Sequence, residues 1–334
     1  MPRLLPALVL PLLAGCVVTE TRTIVIAVPK ATTTVEVYAV FEGVSVRAGD
    51  EVQRATDREA LATAKTYLGN FARKHPLFLF ADTLPDEVFT RELKGDWAGT
   101  DALGPTTYGP FRYYLDATRK RPLCADRRMT FRDRAAVEKK LNPLLSELMA
   151  DFVRTPDALR NNLRDLEGIL ADRERRKLVD LLGLGPFVEP LRALLKVAAQ
   201  FDDEAVKGIH AAATRDGEAF RWLRFEPDGI RIVLPAPAAL ARTIAEADDT
   251  HRAVTELRGF VSPVTVAPTA DGLAFVFGNA TTPMTLRYTN PLGHRPQLEQ
   301  AILEAAGNPG PRVLDGKAAT AAELVRRFAA DPTR

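Results

Sequence analysis

The chain has 334 residues, 46% of them hydrophobic and 26% charged, the balance of an ordinary folded protein rather than a disordered one. A formal net charge of +2 gives no global pull toward nucleic acid or an anionic surface, so no nucleic-acid partner is expected. Only 2 cysteines in this length also exclude a scaffold stapled by disulfides.

The first segment is short and apolar. Arg3 provides a positive start, residues 4–13 an apolar run broken by Pro6 and Pro11, and Ala14 and Gly15 small side chains directly ahead of a cysteine. Such a run falls short of the roughly 20 residues that a spanning helix needs, and it reads as a secretory signal. The residues Leu13-Ala14-Gly15-Cys16 resemble the lipobox of bacterial lipoproteins. The resemblance implies that residues 1–15 are a removed signal peptide and that Cys16 carries a diacylglycerol on its sulfur and an acyl chain on its new amino group. Each buried methylene adds about 0.8 kcal/mol and a second chain already makes binding stable, so such an anchor is effectively permanent. Val17 follows the cysteine where an aspartate commonly marks inner-membrane retention. By the same resemblance, this favours the outer membrane with the body in the periplasm. No later segment approaches a spanning length. With Cys16 committed to lipid, Cys124 has no cysteine to pair with inside the mature chain. It is expected as a small buried hydrophobe, with a reactive thiol among Arg119, Lys120, Arg121, Arg127 and Arg128 as the alternative.

Beyond the anchor, residues 23–28 and 33–46 are rich in β-branched and aromatic side chains and read as two strands joined at Pro29-Lys30-Ala31. Val35, Val37, Ala39 and Phe41 fall on one face of the second strand, with Glu36, Tyr38, Val40 and Glu42 on the other. Thr56 and Glu59 make a capping box for an amphipathic helix over 57–74. Residues 76–128 are less regular, with short strands expected at 77–80, 88–93 and 111–115. From 130 to about 214 the pattern is almost wholly helical. Asn142-Pro143 and Thr155-Pro156 read as helix starts, and Leu159, Leu163, Leu166 and Leu170 form an apolar stripe. Short links between these helices predict an antiparallel bundle.

The last third returns to strands. Segments 220–225 and 230–234 flank the turn Glu226-Pro227-Asp228-Gly229. A helix is expected near 237–258, where Asp248-Asp249 reads as ending one helix and capping the next, then a meander over 260–267, 273–277 and 284–288. Helices near 295–306 and 320–330 finish the chain, the second opened by a Thr320/Glu323 capping box. The expected fold class is α+β, with antiparallel sheet segments at both ends of the chain and a central helical bundle. The expected regions are 16–129, 130–215 and 216–334.

Chemistry is sparse in the pattern. His75, His210, His251 and His294 form no paired-histidine metal motif, and Ser45, Ser146 and Ser262 sit in no nucleophile elbow. No Gly-rich phosphate loop or dinucleotide fingerprint is present, so no cofactor or metal is expected. Three loops carry binding candidates. Trp97 and Tyr108 belong to an aromatic, glycine-containing segment over 95–114, suited to stacking on sugars or to anchoring a loop on the core. Arg119 and Arg121 belong to a basic stretch over 112–134, suited to an anionic envelope partner or to local ion pairs. His294 lies in the loop Asn290-Pro291-Leu292-Gly293-His294-Arg295, where helix entry is the plainer role. The expected function is non-enzymatic: a lipid-anchored envelope protein that binds or scaffolds, with an envelope protein or anionic glycan as partner. Two alternatives stay open. A hydrolase of cell-wall or glycan material would need two close carboxylates, or His294 beside a nucleophile. A small-ligand carrier would need an apolar cavity between sheet and bundle.

Overall fold

The computed structural model describes residues 17–18, 20–46, 106–109, 112–116, 123–172, 185–215, 219–289, 307 and 309–332. The predicted helices over 57–74 and 295–306, and the predicted strands over 77–80 and 88–93, lie outside these residues. The described elements form an α+β fold. Its strands are β1 (Val17–Val18), β2 (Thr21–Ala27), β3 (Val35–Glu42), β4 (Ser45–Val46), β5 (Thr106–Tyr108), β6 (Arg112–Leu115) and β7 (Leu123–Phe131). Four helices follow: α1 (Arg134–Phe152), α2 (Pro156–Ala171), α3 (Gly185–Ala198) and α4 (Asp203–Ala213). Then come β8 (Leu223–Glu226), β9 (Gly229–Pro235), α5 (Ala238–Ala245), α6 (Asp248–Arg258), β10 (Val261–Ser262), β11 (Val264–Thr269), β12 (Gly272–Phe277) and β13 (Met284–Thr289). The chain closes with the small hairpin β14 (Val313–Leu314) and β15 (Lys317–Ala318), then α7 (Ala321–Ala330).

Two antiparallel sheets organise these elements. The larger has the order β10-β13-β2-β3-β7-β5, with β6 also on β7; the smaller has the order β11-β12-β9-β8. β5 and β6 run along the same side of β7. Tyr108 stands opposite Met129 and Arg112 opposite Asp126. The hairpin expected at Pro29-Lys30-Ala31 joins β2 to β3, and the predicted face assignment of β3 holds. Val35, Val37, Ala39 and Phe41 enter one continuous core that also takes in the inner face of the small sheet and apolar residues of α1 to α6. The opposite face is not open to water. Tyr38 and Val40 pack with Ala321, Leu324 and Phe328 of α7 in a second, smaller core. That is why all eight residues of β3 are buried.

Four expectations are corrected. The stretch leading to residue 130 holds a long central strand, β7, and Thr130 and Phe131 end it. The first helix starts only at Arg134, capped by Asp133, whose Oδ1 accepts from the amides of Ala135 at 2.9 Å and Ala136 at 3.3 Å. Asn142-Pro143 does not start a helix; Pro143 lies inside α1, and the buried Asn142 side chain bonds to strand β8. The span 237–258 holds two helices that meet at Asp248-Asp249, but these aspartates are not the cap: Ala247 is, and they occupy the first turn of the second helix, where negative charge suits the dipole. The last correction concerns the meander. The strand expected over 260–267 splits at Pro263, with β10 in the large sheet and β11 in the small one. β13 then leaves β12 and pairs with β2 near the start of the chain, Met284 opposite Ile26.

Other boundaries follow their local chemistry. Thr155 Oγ1 accepts from the Ala158 amide at 3.1 Å ahead of Pro156, and Asp202 Oδ1 accepts from the Ala205 amide at 2.8 Å at the start of α4. Thr320 Oγ1 accepts from the Glu323 amide at 3.1 Å, as its sequence predicts, while the Glu323 carboxylate turns to Arg327 and Arg326. Replacing Thr155 with alanine is expected to cost about 1 kcal/mol of stability, the usual worth of such a cap, as read by urea unfolding.

Candidate functional site

Most of the sequence candidates fall beyond what the structure describes. Cys16, Trp97, Arg119, Arg121 and His294 lie outside the described residues. Tyr108 ends β5 at the edge of the large sheet, opposite Met129. Cys124 is fully buried on β7, in the small core under α7, which fits the hydrophobe reading of that residue.

A charged cluster that the sequence reading missed lies on the same face. Alternation along β7 sends Cys124, Asp126, Arg128 and Thr130 toward α7. Asp126 is fully buried, yet it is an ionisable side chain. Arg112, directly opposite on β6, donates from Nε to Asp126 Oδ1 at 2.7 Å. Arg312, just before β14, pairs with the other carboxylate oxygen and lies over the Tyr114 ring, 5.9 Å from its centroid. One residue pair along the strand, Arg128 donates from Nε and Nη2 to Glu36 Oε2, each at 3.1 Å, and Thr130 Oγ1 donates to the same oxygen at 2.7 Å. The Arg128 guanidinium also covers the Phe328 ring and bonds to the Pro332 carbonyl, while Tyr38 stacks on Phe328 at 4.8 Å. These contacts fasten α7 to the sheet. With a guanidinium beside each carboxylate oxygen, the fully buried Asp126 ties together β6, β7 and the segment ahead of β14.

Burial pushes the phenols of this face upward. Desolvation holds the Tyr114 hydroxyl well above its ordinary pKa, with the nearby Cys124 adding to the rise. Tyr38 is raised by desolvation too, against an opposing pull from Arg312 and Arg112. Desolvation lowers Arg312. A phenol whose folded pKa lies above its unfolded value stabilises the fold fully below about pH 10, and that contribution is lost as pH rises through the folded pKa. Stability is therefore expected to fall above about pH 10. The Tyr114 hydroxyl has no hydrogen-bond partner among the described residues. Tyr114→Phe is accordingly expected to leave stability at pH 7 unchanged within about 1 kcal/mol and to flatten the alkaline loss, as measured by urea unfolding across that range.

The same geometry accounts for much of the basic stretch. Arg112 and Arg128 serve the carboxylates above, Arg127 donates to the Gly109 carbonyl at 3.1 Å, and Arg132 donates to Thr107 Oγ1 at 3.1 Å. These four arginines point at partners within the fold.

Among the described residues, a concavity with room for a ligand lies elsewhere, at the far end of β2. A cleft of about 350 Å³ opens between the β2–β3 hairpin, the β8–β9 turn, the loop 278–283 and the end of α7. Val28, Pro29, Ile230, Met284 and Ala330 give it an apolar lining, and Lys30 and Glu226 are the ionisable residues on it. Its loop is shaped locally. Asn279 Oδ1 accepts from the amides of Thr281 at 2.9 Å and Thr282 at 2.8 Å, while the Gly278 amide bonds to the Pro263 carbonyl at 2.8 Å. Gly278 has φ +77°, and a Cβ there would stand 2.8 Å from the Met284 nitrogen, so this position requires glycine. The cleft is assembled from hairpin tips far apart in the chain, and nothing local in the sequence marks it. Among the described residues, no group of three His, Cys, Asp or Glu side chains could hold a metal ion. No described helix is long and apolar enough to cross a membrane.

Comparison with protein-family models, with curated proteins and with solved structures finds no match to this chain.

Proposed function

We propose that this chain is a lipid-anchored cell-envelope protein of the outer membrane, facing the periplasm, that acts by non-enzymatic binding or scaffolding. The observation that carries the proposal is the arrangement at the start of the chain. Leu13-Ala14-Gly15-Cys16 closes a short apolar run, and the first paired strand, Val17–Val18, begins on the next residue. Cleavage before Cys16 would therefore leave the acylated residue at the threshold of the folded body. The binding half of the proposal draws on the cleft at the end of β2, an open concavity whose lining mixes apolar side chains with Lys30, Glu226, Asn279 and Thr281.

The test is the Cys16→Ser variant, followed by fractionation and by mass measurement of the N-terminal peptide. The wild-type protein is expected in the membrane fraction with acyl chains on Cys16, and the variant in soluble or unprocessed form. Continued membrane attachment of the variant would overturn the anchor. Turnover of a cell-wall substrate, abolished by replacing a single polar residue, would overturn the non-enzymatic role.

A further inference from the structure

The anchor and the cleft occupy opposite ends of one hairpin. Val17 pairs with Val46 and Val18 with Ser45, and the same register continues through Thr21 opposite Glu42 to Ala27 opposite Glu36. The Glu20 amide bonds to the Glu42 carbonyl at 2.9 Å and bridges the short interruption at Gly43. Val17–Val18 and Thr21–Ala27 are extended and paired in this one register. At about 3.3 Å per residue, the separation of the two ends is roughly 33 Å. The cleft begins where β2 ends, at Ile26, Ala27 and Val28.

We infer that the β1–β4 end of the sheet rests against the headgroups of the anchoring leaflet, and that the cleft stands about 33 Å from it, open to the aqueous side and to a water-soluble partner. The inference rests on the lipidation of Cys16 proposed above. Its physical basis is the missing linker. A flexible tether of 15 residues would let a body wander about 20 Å from its anchor. Here the residue after the acylated cysteine is already paired to Val46. The Cα of residue 16 lies about 3.8 Å from that of Val17, so the body cannot leave the headgroup layer without breaking β1–β4. β1–β4 is a two-stranded ladder of its own that continues the register of β2–β3, the middle strands of the large sheet, so the contact orients that sheet and the cleft built on the hairpin tip. The acyl chains of the anchor itself cannot reach the cleft, which leaves it free for a partner in the water phase.

The full-length acylated protein, reconstituted in phosphatidylethanolamine/phosphatidylglycerol vesicles carrying headgroup spin-labelled lipid, tests this. A fluorophore is placed at Ser45→Cys or at Thr281→Cys; native Cys124 is buried and stays unlabelled in the folded protein. The label at 45 is expected to be quenched several-fold more strongly than the label at 281. A 15-residue Gly/Ser insertion between Cys16 and Val17 is expected to erase the difference. Equal quenching of the two labels in the uninterrupted chain would overturn the inference, and so would a difference that survives the insertion. Vesicle flotation separates the two layers of the argument. Protein that does not float refutes the lipidation of Cys16, whereas protein that floats with both labels equally quenched refutes only the orientation.

Discussion

Replacing Asp126 with alanine is expected to lower the free energy of unfolding by about 3–5 kcal/mol, the range found when one partner of a buried ion pair is removed. The penalty falls on what is left behind. Arg312 keeps only 19% of its side-chain surface exposed, and with Asp126 gone its charge loses the carboxylate beside it. Arg112 is about half exposed and can turn to water, so its own replacement by alanine is expected to cost far less, about 1 kcal/mol. The asymmetry is the useful readout in urea unfolding. Similar losses for Asp126→Ala and Arg112→Ala would mean that the cluster is wetter than its geometry implies. A combined Asp126→Leu/Arg312→Met variant should recover much of the loss, because an apolar pair removes both desolvated charges at once.

This cluster also shows where the sequence stops being legible. The period-2 pattern of β3 assigns Val35, Val37, Ala39 and Phe41 to the main core, because alternation is a local property. In β7, Asp126-Arg127-Arg128 interrupts the apolar run and resembles a solvated face. Its burial makes sense only with Arg112, Arg312 and Glu36 in place, and Arg312 arrives from almost 190 positions later in the chain. The caps at Thr155 and Thr320 could be read because they involve neighbours three residues apart. The pairing of β13 with β2 could not, since strand order is a long-range choice that no short motif records. The candidate site divides in the same way. The Cys16 motif is contiguous, whereas the cleft joins residues near 28, 230, 280 and 330.

Asn142→Ala is expected to cost about 2–4 kcal/mol, because it strands two buried backbone groups at once. β8 is an edge strand of the small sheet, so one side of it has no neighbouring strand. An edge left that way in the interior would hold unpaired amides and carbonyls. Helix α1 supplies the missing partners. Asn142 accepts from the Leu223 amide at 2.7 Å through Oδ1 and donates to the Leu223 carbonyl at 3.1 Å through Nδ2, as a neighbouring strand would. One turn earlier, Glu138 Oε1 accepts from the Phe225 amide at 2.8 Å, and one turn later, Ser146 Oγ accepts from Trp222 Nε1 at 2.8 Å. Positions 138, 142 and 146 share one face of the helix. That face is turned inward, where Asn142 and Ser146 are buried. Only an amide side chain matches both the donor and the acceptor of Leu223. Asn142→Asp should therefore recover part of the stability at most, since it keeps the acceptor, loses the donor and sets a charge against a carbonyl. Amide hydrogen exchange at Leu223 and Phe225 separates the roles. Asn142→Ala should speed exchange at Leu223 first and Glu138→Ala at Phe225 first; unchanged protection at Leu223 in the Asn142 variant would mean that β8 is held by β9 alone.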